Sequence, residues 1–439
     1  MCPCVCGLLL LTSCSAWPAA PAEHTYYVST TGNDSNRGDS GAPWRTIQKA
    51  ADALRPGDTA VVAAGEYHER VQVRNSGASG ASISFDGKGA VSMEGFRVSG
   101  SYVHVNGFEI ANAPGNDLFN RALSSGIYCS GAGDVFSNNF IHGTNAVGIY
   151  LEEGSTRNSI ISNRVVSAVE AGIYVRGTNH IVESNDISHT VQTHPGMLNS
   201  GDADGIRFFG SGSIFRKNYI HDITLADMGN TNPHIDGFQT WGPVSNITIE
   251  RNTIVQAETG DQGIIIEGKY QPTGGIIIRN NVFAIRSVEF GPAVIAGGLG
   301  PVSNIQILNN TVAAVIGPAE YAFWLFDNVS KVDVRNNAVY DFGNAQYSYI
   351  RIDPKATDLN IGTNAVYKSD GKPPKGNPFP GDLWMVNPQF INVSTRDFHI
   401  RPTSPLIDAG VTLASVTDDF DGSHRPLGKG PDIGAFEAR

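Results

Sequence analysis

Two short motifs recur out of phase along most of this chain, and that recurrence limits the folds open to it more than any other feature. One is Asn followed two residues later by an aliphatic side chain or Phe. It begins at Asn106, Asn139, Asn163, Asn185, Asn218, Asn252, Asn281, Asn310, Asn337 and Asn364, at intervals of 22 to 34 residues. The other is Gly-Ile or Gly-Phe, in GIYCSG at 126, GIYLEE at 148, GIYVRG at 172, GIRFFG at 205, GFQTWG at 237 and GIIIEG at 263. Between them run short segments with period-two alternation, such as SNITIERNTIV (245–255) and GGIIIRNNVF (274–283), the pattern of strands. A unit of this size cannot hide its apolar face alone, but stacked units can. The pattern therefore predicts one all-β solenoid, a parallel β-helix of about ten coils, in place of the three or so domains that 439 residues would otherwise suggest. The recurrent Asn is expected at an inward turn, bonding the backbone of the next coil as a ladder and doing no chemistry. The one helical pattern, TIQKAADAL (46–54), stops at Pro56-Gly57 and is expected to cap the N-terminal end.

Composition narrows the function. Lys plus Arg is 31 and Asp plus Glu is 42, a net charge of −11, which argues against a nucleic-acid binder. The 17% of charged and 41% of hydrophobic residues fit a folded chain. Cys2, Cys4, Cys6 and Cys14 crowd the first residues and only Cys129 follows, so a disulfide framework and a cysteine-rich zinc site are both excluded for the mature protein. Residues 5–12, VCGLLLLT, form an apolar run too short to span a bilayer, followed by small residues and prolines. This reads as a signal peptide over 1–22, cleaved near Ala20 or Ala22, or as a lipoprotein leader with Cys14 as the lipidated residue. The protein is expected to be secreted, periplasmic or lipid-anchored at a bacterial surface, without a transmembrane segment, and monomeric. The β-helix is expected over 23–386 and an irregular capping segment over 387–439.

Coils of this type resemble the right-handed parallel β-helix proteins, mainly polysaccharide lyases and glycoside hydrolases. The opening TYYVSTTGNDSNRGDSGAPWRTIQKAADALRPGDTAVVAAGEYHERV (25–71) is similar to the start of family 9 polysaccharide lyases. RPGDTAVVAAGEYHERVQVRNSGASGASISFDG (55–87) resembles the chondroitinase B and alginate lyase family. NPQFIN (387–392), DFHIRPTSPLIDAG (397–410) and GPDIGAFE (430–437) resemble the closing segment of many such secreted proteins. The resemblance implies the fold and export; the fold hosts several chemistries.

Aligning the Gly-(Ile/Phe) strands lets columns be read across coils, since side chains alternate in and out. Ile127, Ile149, Ile173, Ile206, Phe238 and Ile264 form one inward column, and Cys129, Leu151, Val175, Phe208, Thr240 and Ile266 the next. One outward column reads Tyr128, Tyr150, Tyr174, Arg207, Gln239, Ile265; the other reads Ser130, Glu152, Arg176, Phe209, Trp241, Glu267. Adjacent coils place Asp204 and Asp236 before the Gly, with Asp202 and His234 two residues earlier. From Asn to the next Gly takes 9 residues in the coils at 139 and 163, but 20 and 19 in the coils at 185 and 218. Long insertions on adjacent coils are expected to wall a cleft. The coil at 106 carries a similar insertion (109–125), which could be a neutral bulge.

The outward residues suit sugar. Tyr150, Tyr174 and Trp241 offer flat faces, and Glu152, Arg176 and Gln239 offer polar contacts, with Arg suited to uronate carboxylates. Three functions compete. The first is a lyase acting by β-elimination on a uronate-containing polysaccharide, with Lys269, Arg207 or His234 as base and Asp202, Asp204 and Asp236 holding Ca²⁺. The resemblance to family 9 lyases, which pair a Lys base with an Asp-bound calcium, favours this reading. The second is a glycoside hydrolase using the pair Asp204/Asp236 or Asp204/Glu267. The third is a non-catalytic glycan-binding surface protein, in which acidic strings such as 418–422 and 33–36 would be structural calcium sites. The concentration of Arg176, Arg207 and Lys269 on one face of an acidic protein favours an acidic glycan and elimination.

Overall fold

A computed structural model describes residues 23–111, 113, 120–191, 202–228, 234–256, 262–269, 272–286, 293–298 and 300–439. The leader expected over 1–22, with Cys2, Cys4, Cys6 and Cys14, lies outside them, as do the tips of the two long insertions (192–201 and 229–233).

The predicted solenoid forms. A typical coil runs through three short strands, Ser159–Ile161, Arg164–Val166 and Ala171–Val175, which define first, second and third faces. Each strand pairs in parallel with its counterparts in the coils before and after, so every face is a parallel sheet running the length of the molecule. On the third face Phe96, Ile127, Ile149, Ile173, Ile206, Phe238, Ile264, Val294, Phe323 and Ile350 stack in register, ten levels, as the sequence led us to expect. The inward columns through Ile127 and Cys129 are buried throughout, Thr240 included.

The asparagine ladder joins the first face to the second. Asn252 shows the unit. Its Nδ2 donates to the Phe215 carbonyl (3.0 Å), and its N–H and Nδ2 both donate to Asn281 Oδ1 (2.9 and 3.0 Å). Its own Oδ1 accepts the same pair of bonds from Asn218 (2.9 and 3.0 Å). The ladder runs from Asn139 to Asn364, where Asp382 Oδ1 accepts the last N–H at 2.9 Å. The residue before each ladder Asn is left-handed, from φ 50° at Asn309 to 57° at Asn336, which turns the chain sharply enough to aim the amide inward. Asn106 is not part of it. Its place in the register is taken by Phe108, and Asn106 lies two residues early, bonded to Asp86, Ser137 and Asn138.

The N-terminal cap is the helix Ile47–Ala53, with Thr46 as its N-cap. Glu69 accepts the Ile47 and Gln48 N–H groups at 2.8 and 2.9 Å, so the first turn has partners. At the other end Tyr349, Phe379 and Trp384 close the core. The segment 387–439 differs from expectation. It is not an end cap but a strap along the second face, where Phe390, Phe398, Ile400, Leu406, Ile433 and Phe436 bury Val282, Ala284, Ala313 and Ala338. The acidic strings are likewise spent on protein partners. Asp34 accepts from Arg45, Thr46 and the Thr46 hydroxyl, Asp418 pairs with Arg251, and Asp419 accepts from Ser423 and Glu437. Among the described residues no helix is long and apolar enough to cross a membrane.

Candidate functional site

The site is built at the corner where the second face turns into the third. The glycine at that corner is fixed by crowding: a Cβ on Gly205 would come within 2.6 Å of Ile220 Cγ2 and 2.7 Å of the Gly237 carbonyl. The residue before it has the same parity as the inward Ile. Asp204 and Asp236 therefore point into the corner and are completely buried. They are neighbours, as expected: the Asp236 N–H donates to Asp204 Oδ1 at 3.1 Å. They do not reach solvent, however, and neither can touch a glycan or serve as an exposed carboxylate pair.

Arg207, the outward residue of the same strand, fills this corner. It is 3% exposed. Its Nε donates to Asp204 Oδ2 (2.5 Å), Nη1 to Glu170 Oε1 (2.7 Å), and Nη2 lies 2.5 Å from Asp202 Oδ2. Burial opposes its charge, but the three carboxylates outweigh burial and hold the proton more tightly than in an ordinary Arg. Arg207 is therefore not the base the sequence offered. Burial pushes Asp204 upward, against the pull of Arg207. The contact with Arg207 keeps that carboxylate in an ion pair.

His234 and Glu267 face outward beside this corner. They line one cavity of about 710 Å³ together with Gln262, Ile265, Trp324, Phe326, Asp327 and Asn328. His234 Nδ1 lies 2.8 Å from Asp236 Oδ2, with its side chain 41% exposed. Its pKa is pushed up to about 9, first by the bond to Asp236 and against the cost of partial burial. It is thus an imidazolium at neutral pH. Burial pushes Glu267 above the usual carboxylate range, while His234 and Lys269 pull it down. Lys269 is exposed at the rim, where its N–H donates to the Trp241 carbonyl at 3.3 Å.

The remaining predicted contacts divide. Tyr150 and Tyr174 are only 4% and 8% exposed, and of the two Tyr174 still lines a cavity of about 420 Å³ on this face. Their cover is Arg121, whose guanidinium lies 5.6 and 5.3 Å from the two ring centroids. Gln239 is buried, with Nε2 3.5 Å from His234 Nδ1. Arg176 is paired with Glu153 at 2.6 Å and Glu152 at 3.7 Å, and Tyr128 donates to Glu152 at 2.8 Å. Arg176 and Trp241 line that same cavity, with Phe209 and Pro243. Of the three cations picked out in the sequence, Arg176 and Arg207 are paired with carboxylates, and Lys269 lies within electrostatic reach of Glu267.

Several site residues escaped the sequence reading. Trp324 and Phe326 lie on the third face, but there Ala293 and Ala322 stand where earlier coils have Gly, so the Gly-Ile marker stops at 263. Glu170 sits in a turn outside both columns. Arg121 comes from the insertion 109–125, which is no neutral bulge, since its short helix Arg121–Ser124 delivers Arg121 to Glu170.

The donors suggested for Ca²⁺ do not fit that ion. Asp202 and Asp204 are committed to Arg207 and Asp236 to His234. Two buried oxygens, both on Asp236, lack a geometrically formed hydrogen bond among the described residues, and one of them meets the His234 ring, where Ca²⁺ takes six to eight oxygens. No cluster among the described residues could hold a metal ion.

Comparisons with known proteins agree on architecture. Two family models match: a Pel9A-like right-handed β-helix region over residues 26–194, and a right-handed β-helix region over 125–341. A stretch of 161 residues is 26% identical to pectate lyase L of Dickeya dadantii strain 3937, and one of 59 residues is 39% identical to the uncharacterized protein YwoF of Bacillus subtilis strain 168. Those stretches take in 36% and 13% of the two relatives' own lengths. Among solved structures, pectate lyase Pel9A superposes over 95% of this chain and 96% of its own, with a TM-score of 0.58 and 17% identity. The complex of XylC with xylose covers 94% and 99%, at 0.60 and 12%. At such identities the likeness is one of fold.

Proposed function

Taking the chain as a right-handed parallel β-helix, matched as such from residue 26 to 341, we propose that it is a polysaccharide-cleaving enzyme. Its substrate lies along the third face, and a uronate-containing chain is cut by β-elimination. The observation that carries this reading is the placement of His234, 2.8 Å from buried Asp236, at a cavity shared with Glu267. In elimination a base removes the proton α to the uronate carboxylate. The freed electron pair forms a carbon–carbon double bond, the bond to the 4-linked oxygen breaks, and that oxygen takes a proton. Negative charge grows on the carboxylate as the proton leaves, and a fixed cation at short range lowers that barrier. His234 supplies the cation. Glu267 is the carboxylate at this cavity placed to accept the proton, with Lys269 beside it, and Trp324 and Phe326 give the sugar rings apolar faces.

One observation favours hydrolysis instead. Burial pushes Glu267 above the usual carboxylate range, the direction a general acid needs, and Asp202 is a partly exposed second carboxylate. Acidic and neutral glycans, assayed both for ultraviolet absorbance of an unsaturated product and for new reducing ends, separate the readings. Both signals together support elimination. Reducing ends without absorbance sink it in favour of hydrolysis. Neither signal, with glycan still bound, leaves a binding protein.

A further inference from the structure

The corner beneath the groove holds acidic side chains from two successive coils, yet the cation among them belongs to the chain. Three nitrogens of Arg207 each meet a different carboxylate: Nε on Asp204, Nη1 on Glu170 and Nη2 beside Asp202. The remaining oxygens of Glu170 and Asp204 are also engaged. Arg121 donates to both oxygens of Glu170, at 2.6 and 3.2 Å, and the Asp236 N–H takes Asp204 Oδ1. Two aromatic rings lie against the guanidinium as well, with its carbon 5.8 Å from the Tyr174 ring centroid and 5.3 Å from that of Trp241. Three nitrogens of one planar group set against three carboxylates, with two aromatic rings in cation–π reach, is the environment of a guanidinium. A spherical ion would leave the rings unused and find its oxygens taken.

We propose that Asp202, Asp204 and Glu170 form a seat built for the Arg207 guanidinium, which stands there in place of a divalent cation, so that this corner is assembled and works without bound metal. Its function is positional. Through Asp204 it fixes the backbone of Asp236, and Asp236 in turn holds His234 toward the groove. The inference is independent of which bond the enzyme breaks.

The test is calcium titration of the full-length protein by calorimetry, with melting temperature recorded in EDTA and in calcium. The parent is expected to show no calcium-binding event that Asp204→Asn removes. Arg207→Ala empties the seat and leaves three carboxylates. It is expected to melt lower than the parent in EDTA and to recover part of the loss in calcium. Arg207→Lys keeps a charge in the seat and is expected to gain no calcium response. A stoichiometric calcium site in the parent that disappears in Asp204→Asn would overturn the proposal. So would an Arg207→Ala variant that melts like the parent in EDTA. If Arg207→Ala does not fold in either condition, the parent and Asp204→Asn titrations decide the matter alone.

Discussion

His234 carries a proton at neutral pH because Asp236, completely buried, has its charge matched by the imidazolium 2.8 Å away. A histidine raised to about 9 gives stability that is complete below the ordinary histidine range and is lost as pH rises through that value. Activity that depends on the imidazolium follows the same limb. We expect kcat/KM to fall above about pH 9, and Asp236→Asn to move that fall toward the ordinary histidine value of about 6.5. His234→Gln should cost about 10²–10⁴ in rate. A pH profile unchanged in Asp236→Asn would show that this pair does not govern the reaction. At this scale the sequence was half legible. The stacked Asp-Gly motifs marked the corner, and the adjacency of Asp204 and Asp236 followed from it. Their burial is also implied by period-two parity with Ile206 and Phe238, which conflicts with the carboxylate-pair and calcium roles expected of them. Glu170 and Arg121 left no periodic trace, because a turn and an insertion bring them in.

The strand and its flanking turn are the elements that repeat, and their energetics lie in the ladder. Asn252→Ala removes the acceptor of two buried donors on Asn218 and leaves the Phe215 carbonyl without its side-chain donor. Each orphaned buried group costs about 1–3 kcal/mol, so the substitution should lower the urea midpoint while leaving the groove's chemistry intact. The same change at Asn106, which lies outside the ladder, should be far milder; equal losses at both would show that the ladder is not what stabilises the turn. The ladder was readable because its residue type never varies. The third-face strands became unreadable where Ala replaces Gly, and Trp324 was lost with them. Trp324→Ala tests the element where the reading stopped. Losing one aromatic face at the cavity should raise KM about tenfold, the equivalent of about 1.4 kcal/mol, with little change in kcat.

The molecule as a whole is a stack with two unlike sides. The third face is not covered by the C-terminal strap, while the second face from Val282 to Ala338 carries small outward residues and is covered by it. The strap has one antiparallel strand pair of its own, Phe390–Asn392 with Asp397–Ile400, but no strand of it pairs with the stack, and it is fastened in part by buried charge. Arg425 and Glu437 are each about 1% exposed at the side chain and meet at 2.5 Å. Arg425 also donates to the Asp432 and Gly434 carbonyls, and Glu437 accepts the Leu427 and Asp432 N–H groups. Strap and stack are joined in turn through the ladder turns: Asn309 donates to the Asp432 carbonyl and Asn336 to that of Val411. Breaking one partner of a buried pair leaves the other charge uncompensated, at a cost of about 3–5 kcal/mol. Glu437→Ala should therefore release the strap, bare the apolar flank and lower the melting temperature with a tendency to aggregate. Because the groove lies on another face, kcat/KM measured well below that temperature should stay near the parent's. A variant that loses activity and stability in parallel at low temperature would mean that the two faces are coupled through the core, and that the strap belongs to the working site as much as to the scaffold.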